Sequence, residues 1–214
     1  MTHGKFIVIE GGDGAGKDTQ IALLKKEFGG SAEASAKAGE EKILFVKDPG
    51  GTDIGTNLRE IVLHNERVTR SAEFLIYLAS RAQLVEEKIK PALKSGKDVI
   101  SNRFDISTIA YQIYGRERTD MLDLTKRMSD FACGGLRPDL IVFLDCPPEL
   151  GLRRALLSGE KIDRFEKEKI AFHTRVREGY TKHLPDYNHV VIDGTRPIQE
   201  VFTDVLEAVR EVLH

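Results

Sequence analysis

The sequence predicts an α/β protein, a mostly parallel sheet with helices packed on both faces. Three observations carry this. Five short segments have continuous rather than alternating apolar cores, as strands covered on both sides do. Stretches of helical periodicity lie between them, and strands that alternate with helices favour parallel crossovers. A glycine-rich loop, Gly11-Gly12-Asp13-Gly14-Ala15-Gly16-Lys17, joins the first strand directly to the first helix.

Taken in order, Lys5–Glu10 (KFIVIE) is the first strand, and Ile21, Leu24, Lys25 and Phe28 set the period of the helix after the loop. Gly29–Glu41 (GGSAEASAKAGEE) is small and polar and reads as a flexible surface loop. Lys42–Lys47 (KILFVK) is the second strand. A long helix is predicted from about Ser71 to Lys94, because Phe74, Leu78, Val85 and Ile89 fall at helical spacing and Ser71 can serve as N-cap. Asp98–Asn102 (DVISN) and Asp139–Asp145 (DLIVFLD) follow as strands. Pro147-Pro148 opens a helix, where proline is tolerated in the first turn. His189–Asp193 is the last strand, and a final helix runs from about Pro197 to Leu213. There is no internal repeat, and residues 1–214 read as one domain.

Composition narrows the function. A chain of 214 residues buries ~70% of its unfolded surface and needs no metal or disulfide to hold its core. Hydrophobic residues make up 41% and charged residues 31%, which excludes wholesale disorder. The net charge of −2 argues against a duplex-binding protein driven by bulk charge. The longest apolar run, Phe74 to Ala79, is far shorter than the ~20 residues that span a bilayer. The first apolar segment meets Glu10 too soon to be a signal-peptide core. Cys133 and Cys146 show no paired spacing and read as reduced thiols, and no His/Cys cluster suggests zinc. The expectation is a cytoplasmic protein that binds neither nucleic acid nor membrane.

The loop carries the clearest chemistry. It fits G-x-x-x-x-G-K with a strand before it and a helix after it. Glycines let backbone N–H groups turn toward an anion, the helix N-terminus adds positive potential, and Lys17 neutralises the outer phosphates. A guanine-nucleotide switch would add an N-K-x-D base reader. Asp48-Pro49-Gly50-Gly51 fits D-x-x-G, but no asparagine after the loop is followed by lysine. Arg103 lies just past the end of a predicted strand, where open α/β sheets place ligands. Tyr77 and Arg81 are four apart on a predicted helix and share a face. They could stack a pyrimidine and grip its phosphate or carbonyl, although a helical tyrosine is more often core.

At this point an ordered set of motifs resembles the thymidylate kinase family. It comprises FIVIEGGDGAGKDTQ, Asp48–Thr52 (DPGGT), Tyr77-x-x-x-Arg81-Ala82-Gln83, Asn102-Arg103-Phe104 with Ser107 and Ala110-Tyr111-Gln112, Leu144-Asp145-x-x-Pro148-Glu149, and Asp163-Arg164-Phe165-Glu166. The resemblance implies a three-layer P-loop NTPase fold with a five-stranded parallel sheet and a small mobile helical lid, at about 151–168, and usually a homodimer. It implies Mg²⁺-dependent transfer of the ATP γ-phosphoryl to dTMP. It also implies ATP contacts at Gly12, Asp13, Gly14, Ala15, Gly16, Lys17, Asp18 and Thr19. Arg103 would clamp the acceptor phosphate, and Tyr77 and Arg81 would line the thymidine monophosphate pocket. Thr108, Tyr111 and Gln112 would contact base and sugar, with Tyr111 crowding the 2′ position. Asp13 would bind the 3′-hydroxyl, and Asp48 stands where the family usually has Glu. Lys17, Arg103 and the lid residues Arg154 and Arg164 are the candidate catalytic cations, with helix capping the other reading for Arg154.

Two departures from the family pattern are paired. Asp18 replaces the Ser/Thr that binds Mg²⁺, and Asn102 replaces an aspartate after the third strand. Both positions face the metal by resemblance, so the carboxylate is expected to have moved across the site with its total charge kept. The lid is also poor in arginine, with Leu156 and Ser158 where arginines often alternate. A kinase of another pyrimidine monophosphate, or a nucleotide-binding module without turnover, therefore remains the alternative.

Overall fold

A computed structural model describes residues 3–29, 42–65, 67–157, 165 and 168–213. The expected loop at Gly29–Glu41 thus falls, beyond Gly29, outside the described residues, as do Ser158, Lys161, Asp163, Arg164 and Glu166 of the expected lid.

Five parallel strands form one sheet: β1 (Phe6–Gly11), β2 (Ile43–Lys47), β3 (Asp98–Asn102), β4 (Leu140–Asp145) and β5 (His189–Asp193), in spatial order β2-β3-β1-β4-β5. Every residue of the central β1 is buried. Its side chains divide by parity, as a pleated strand requires. Phe6 and Val8 join one core with Val99, Ile141 and Phe143, while Ile7 and Ile9 join the other with Ile100, Val142 and Leu144. That two-sided burial is why the strands read as continuous apolar runs.

Helices α1 (Lys17–Gly29) and α9 (Ile198–Leu213) cover the second core, contributing Ile21, Leu24, Val201, Val205 and Val209. The first core is covered mainly from the other face. Helix α2 (Asp53–His64) is capped by Thr52, whose hydroxyl accepts the Gly55 N–H at 2.9 Å. Helix α3 (Arg70–Leu84) runs through a π-helical turn (Val85–Ile89) into α4 (Lys90–Lys94). The expected single helix is therefore present but widened, with the Lys90 N–H bonded to the Val85 carbonyl. Pro91 follows directly, and a ring that supplies no N–H suits a break in the regular ladder. The N-cap is Thr69, not Ser71: the Thr69 hydroxyl accepts the Ala72 N–H, and Ser71 already lies inside the helix.

After β3 the chain forms α5 (Asp105–Thr108) and a second π-helical stretch (Ile109–Gly115), then α6 (Leu122–Cys133). Helix α7 (Pro148–Leu157) starts at the predicted proline pair, and α8 (Ile170–His183) lies against the second π stretch. No helix among the described residues is long and apolar enough to cross a membrane. Cys133 and Cys146 are both buried and unpaired with one another.

Since β1 sits between β3 and β4, the chain winds to opposite sides from the middle of the sheet. The C-terminal ends of β1 and β3 border the crevice where such folds take ligands.

Candidate active site

The loop after β1 turns through three glycines at positive φ: Gly11 at 151°, Gly14 at 67° and Gly16 at 100°. At Gly14 no other residue fits, because an added Cβ would lie 1.8 Å from the Gly151 carbonyl oxygen. Lys17, the first residue of α1, is 6% exposed and donates to the carbonyls of Gly11 at 3.0 Å and Gly12 at 2.6 Å. Burial and the nearby Arg103 guanidinium push its ammonium down to about 7, against the pull of Asp13, Asp18 and Glu10.

Arg103 anchors the opposite wall. It has a φ of 69°, unusual for a side chain with a Cβ, and so sits in a strained turn at the end of β3. Its Nη2 donates to Asp13 Oδ1 at 2.7 Å and to the Tyr111 hydroxyl at 2.9 Å. Its Nη1 donates to the Gly11 carbonyl at 3.0 Å and the Tyr180 hydroxyl at 2.9 Å. Burial opposes its charge, but the surrounding phenols, Asp13 and Glu10 keep it fully protonated. Burial would also raise Asp13, yet Arg103 and Lys17 outweigh it and hold the carboxyl below its usual range.

The turn that carries Arg103 is held by Glu10, a fully buried carboxylate at the end of β1. It accepts the Phe104 N–H at 2.7 Å, the Ser107 hydroxyl at 2.8 Å and the Tyr180 hydroxyl at 2.9 Å. Burial pushes Glu10 up, and Arg103 and these donors pull it partly back. Reading the sequence alone missed Glu10, Tyr180 and Lys47. A charged residue closing an apolar strand was the one available signal; Glu10 and Lys47 both carry it, and Tyr180 carries none.

The side of the cavity away from the loop is built on α3. Arg81 is 2% exposed and donates from Nε to Asp48 Oδ2 at 2.6 Å, from Nη1 to the Thr108 hydroxyl at 2.8 Å and from Nη2 to the Phe104 carbonyl at 3.1 Å. Burial raises Asp48, and Arg81 offsets part of that rise. Tyr77, one turn earlier, faces the same space. Asp13, Gly14, Lys17, Asp18, Asp48, Tyr77, Arg81, Asn102, Arg103, Thr108, Tyr111 and Gln112 all line a single cavity of about 180 Å³. Residues from four separate stretches of sequence thus converge on one place. Phe165 closes it at one side.

Asp18 and Asn102 meet directly, with Asn102 Nδ2 donating to Asp18 Oδ1 at 2.9 Å. Lys47 Nζ lies 3.0 Å from the same oxygen. Although partial burial opposes it, Lys47 holds the Asp18 carboxyl below its usual range. Asn102 Oδ1 is buried without a partner, so a hard oxygen donor stands beside a carboxylate. That donor pair suits Mg²⁺. No cluster of three or more His, Cys, Asp or Glu side chains suited to a metal occurs among the described residues.

Some of the other expected residues stand outside this lining. Gly12, Ala15, Gly16 and Thr19 are not among the residues lining the cavity; the first three belong to the loop backbone, and Thr19 faces outward on α1. Arg154 donates to the carbonyls of Gly194 at 2.7 Å and Thr195 at 3.3 Å, in the turn after β5, rather than into the cavity. Those oxygens lie in the turn that follows β5 and are satisfied by its guanidinium. Arg164 lies outside the described residues. Arg103 pairs with Asp13, while Asp105 pairs with Arg137.

A glycine loop feeding a helix, a buried lysine and a second fixed arginine across one cavity define a P-loop phosphotransferase of the nucleoside monophosphate kinase class. The thymidylate kinase family model matches residues 9–205. The chain is 41% identical to a thymidylate kinase of Deinococcus radiodurans over 100% of both chains. It is 43% identical to one of Carboxydothermus hydrogenoformans over 95% of each, and 41% identical to one of Caldanaerobacter subterraneus subsp. tengcongensis over 99% of this chain and 97% of that one. The chain belongs to the thymidylate kinase family.

Proposed function

We propose that the chain transfers the γ-phosphoryl of ATP to dTMP, giving dTDP and ADP. A dTMP phosphate oxygen attacks the γ-phosphorus, the bond from that phosphorus to the bridging oxygen breaks, and ADP leaves with the electron pair. The acceptor is already ionised, so no general base is needed, and catalysis rests on positioning and charge neutralisation. Lys17 leaves the loop carbonyls for the β- and γ-phosphates of ATP, and the loop amides carry the rest of the chain of phosphates. Arg103 holds the dTMP phosphate in line with it. Tyr77 and Arg81 take the base, with Thr108 and Gln112 beside them. Asp13 accepts the sugar 3′-hydroxyl, and the Tyr111 ring occupies the space a 2′-hydroxyl would need. Asp18 and Asn102 would hold Mg²⁺, which when bound supplies further neutralisation of the ATP phosphates. Arg154 shapes the turn after β5 on the ATP side. Arg164 remains a candidate phosphoryl contact from the lid.

One observation carries this reading. Lys17 at the start of α1 and Arg103 in the turn after β3, two cations far apart in sequence, line one cavity whose far wall is an aromatic ring and a buried guanidinium. The test is ADP release with Mg²⁺-ATP and, separately, dTMP, dUMP, UMP, CMP, AMP and GMP. A preference for dTMP is expected. Against dUMP it rests on one methyl group and should be about 10–200-fold. Faster turnover of another monophosphate would reassign the base pocket, and ATP binding without any turnover would overturn the reading.

The protein is further proposed to act as a homodimer in the cytoplasm. Leu75 on α3 and Leu124 and Phe131 on α6 form an exposed apolar face, with Phe131 88% exposed, and support the dimer.

A further inference from the structure

Arg116 has no part in the chemistry above, yet its surroundings are unusually complete. It directly follows the second π-helical stretch, and its side chain is only 10% exposed. Its guanidinium lies between two rings, 5.2 Å from the centre of Phe165 and 5.0 Å from that of Phe172. Nε and Nη2 face the two oxygens of Glu73 at 3.2 and 3.3 Å, and Nη1 bonds Glu168. Glu73 is buried in the first turn of α3, four residues before Tyr77 and so on the same face. Phe165 and Glu168 belong to the segment that leads into α8.

One guanidinium therefore ties α3, the end of the π stretch and the approach to α8. Burying Glu73 and Arg116 is costly unless the pair is tightly made, and lysine could not reproduce both the fork and the stacking. What the arrangement fixes is the ring of Phe165. That ring is 4% exposed, lies 6.1 Å from Tyr77 and 6.0 Å from Tyr111, and lines the cavity.

We propose that Arg116 is a positioning residue for the acceptor nucleotide: through Glu73 and Glu168 it seats Phe165 as the third aromatic wall of the monophosphate pocket. This rests on the reading of that cavity as the dTMP site. Arg116 touches neither the glycine loop nor the Asp18–Asn102 pair, so its effect falls on dTMP and not on ATP.

The test compares KM for each substrate, with direct dTMP binding by calorimetry. Arg116→Lys keeps the charge and should raise the dTMP KM and Kd about tenfold while the ATP KM stays within about twofold. Glu168→Gln spares the Glu73 pair and guards against misfolding; a rise of about threefold in the dTMP KM is expected. Phe165→Leu should act in the same direction, and Phe165→Leu with Arg116→Lys should be no worse than the weaker-binding single variant. Tyr77→Leu separates the two readings. If it leaves dTMP binding intact, the cavity is not the dTMP site and the proposal falls with that reading. If it weakens dTMP binding but Arg116→Lys does not, or if Arg116→Lys damages ATP and dTMP equally, the role of Arg116 alone is overturned.

Discussion

Lys17 shows how a single residue stores a functional preference before its ligand arrives. Its ammonium is held down to about 7 from an ordinary 10.5 because it is buried near Arg103. Phosphates bring negative charge to that position and raise it again. ATP binding near pH 8 should therefore take up a proton, visible as a binding enthalpy that changes with the ionisation enthalpy of the buffer. Lys17→Met should abolish that uptake; an unchanged buffer dependence would refute the assignment. In the free protein the unfolded state binds the extra proton between about pH 7 and 10.5, so Lys17's contribution to stability improves as pH rises through that window. The Asp18–Asn102 contact makes a second prediction at this scale. Asn102→Asp alone places two carboxylates at hydrogen-bond distance, and Asp18→Ser alone removes the one charge. The Asp18→Ser, Asn102→Asp double variant should retain more activity than either single, and bind Mn²⁺ more tightly than Asp18→Ser. Simply additive losses would show that the two positions do not share a metal charge.

At the scale of elements, the glycine loop is fitted to a helix that lies far away in sequence. A Cβ at Gly151 in α7 would sit 2.2 Å from the Asp13 carbonyl, so the helix and loop touch through bare backbone. Gly151→Ala should destabilise the fold by about 1–3 kcal/mol and weaken ATP binding, read as a lower Tm and a higher ATP Kd. A variant that lowers neither would mean the loop and α7 can part without loss. The glycine loop itself was legible in the sequence, because its residue types answer to local backbone needs. Its contact with Gly151 was not, because a helical glycine gives no sign of what it approaches. The same holds for the π-helical turns. Pro91 hints at the first, but nothing in Ile109–Gly115 distinguishes a widened turn from an α-helix. Tyr111 and Gln112 nevertheless line the cavity, together with Thr108.

For the whole molecule, the exposed apolar face on α3 and α6 predicts self-association. Light scattering at micromolar concentration should give twice the mass of one chain, and Phe131→Glu should give a monomer that remains folded. A monomeric parent protein would refute this. Because Tyr77 and Arg81 lie on the same α3 as Leu75 and Leu78, the exposed apolar face and the cavity share one helix. Strand order follows the same logic at larger scale. Winding from β1 to opposite edges leaves the ends of β1 and β3 side by side, which brings Asp13 to Arg103 although they are 90 residues apart.

The sequence by itself determined the strands, the phosphate loop and the family, because these follow from apolar runs, local backbone demands and ordered motifs along the chain. Only the tertiary structure decided how charge is distributed. It buried Glu10 beneath the Arg103 turn, turned Arg154 to the carbonyls after β5, joined Asp18 to Asn102, and enclosed Arg116 between two rings. The physical reason is that a hydrogen bond or ion pair depends on distance through space and on exclusion of water. Neither quantity is written in the spacing of residues along one chain.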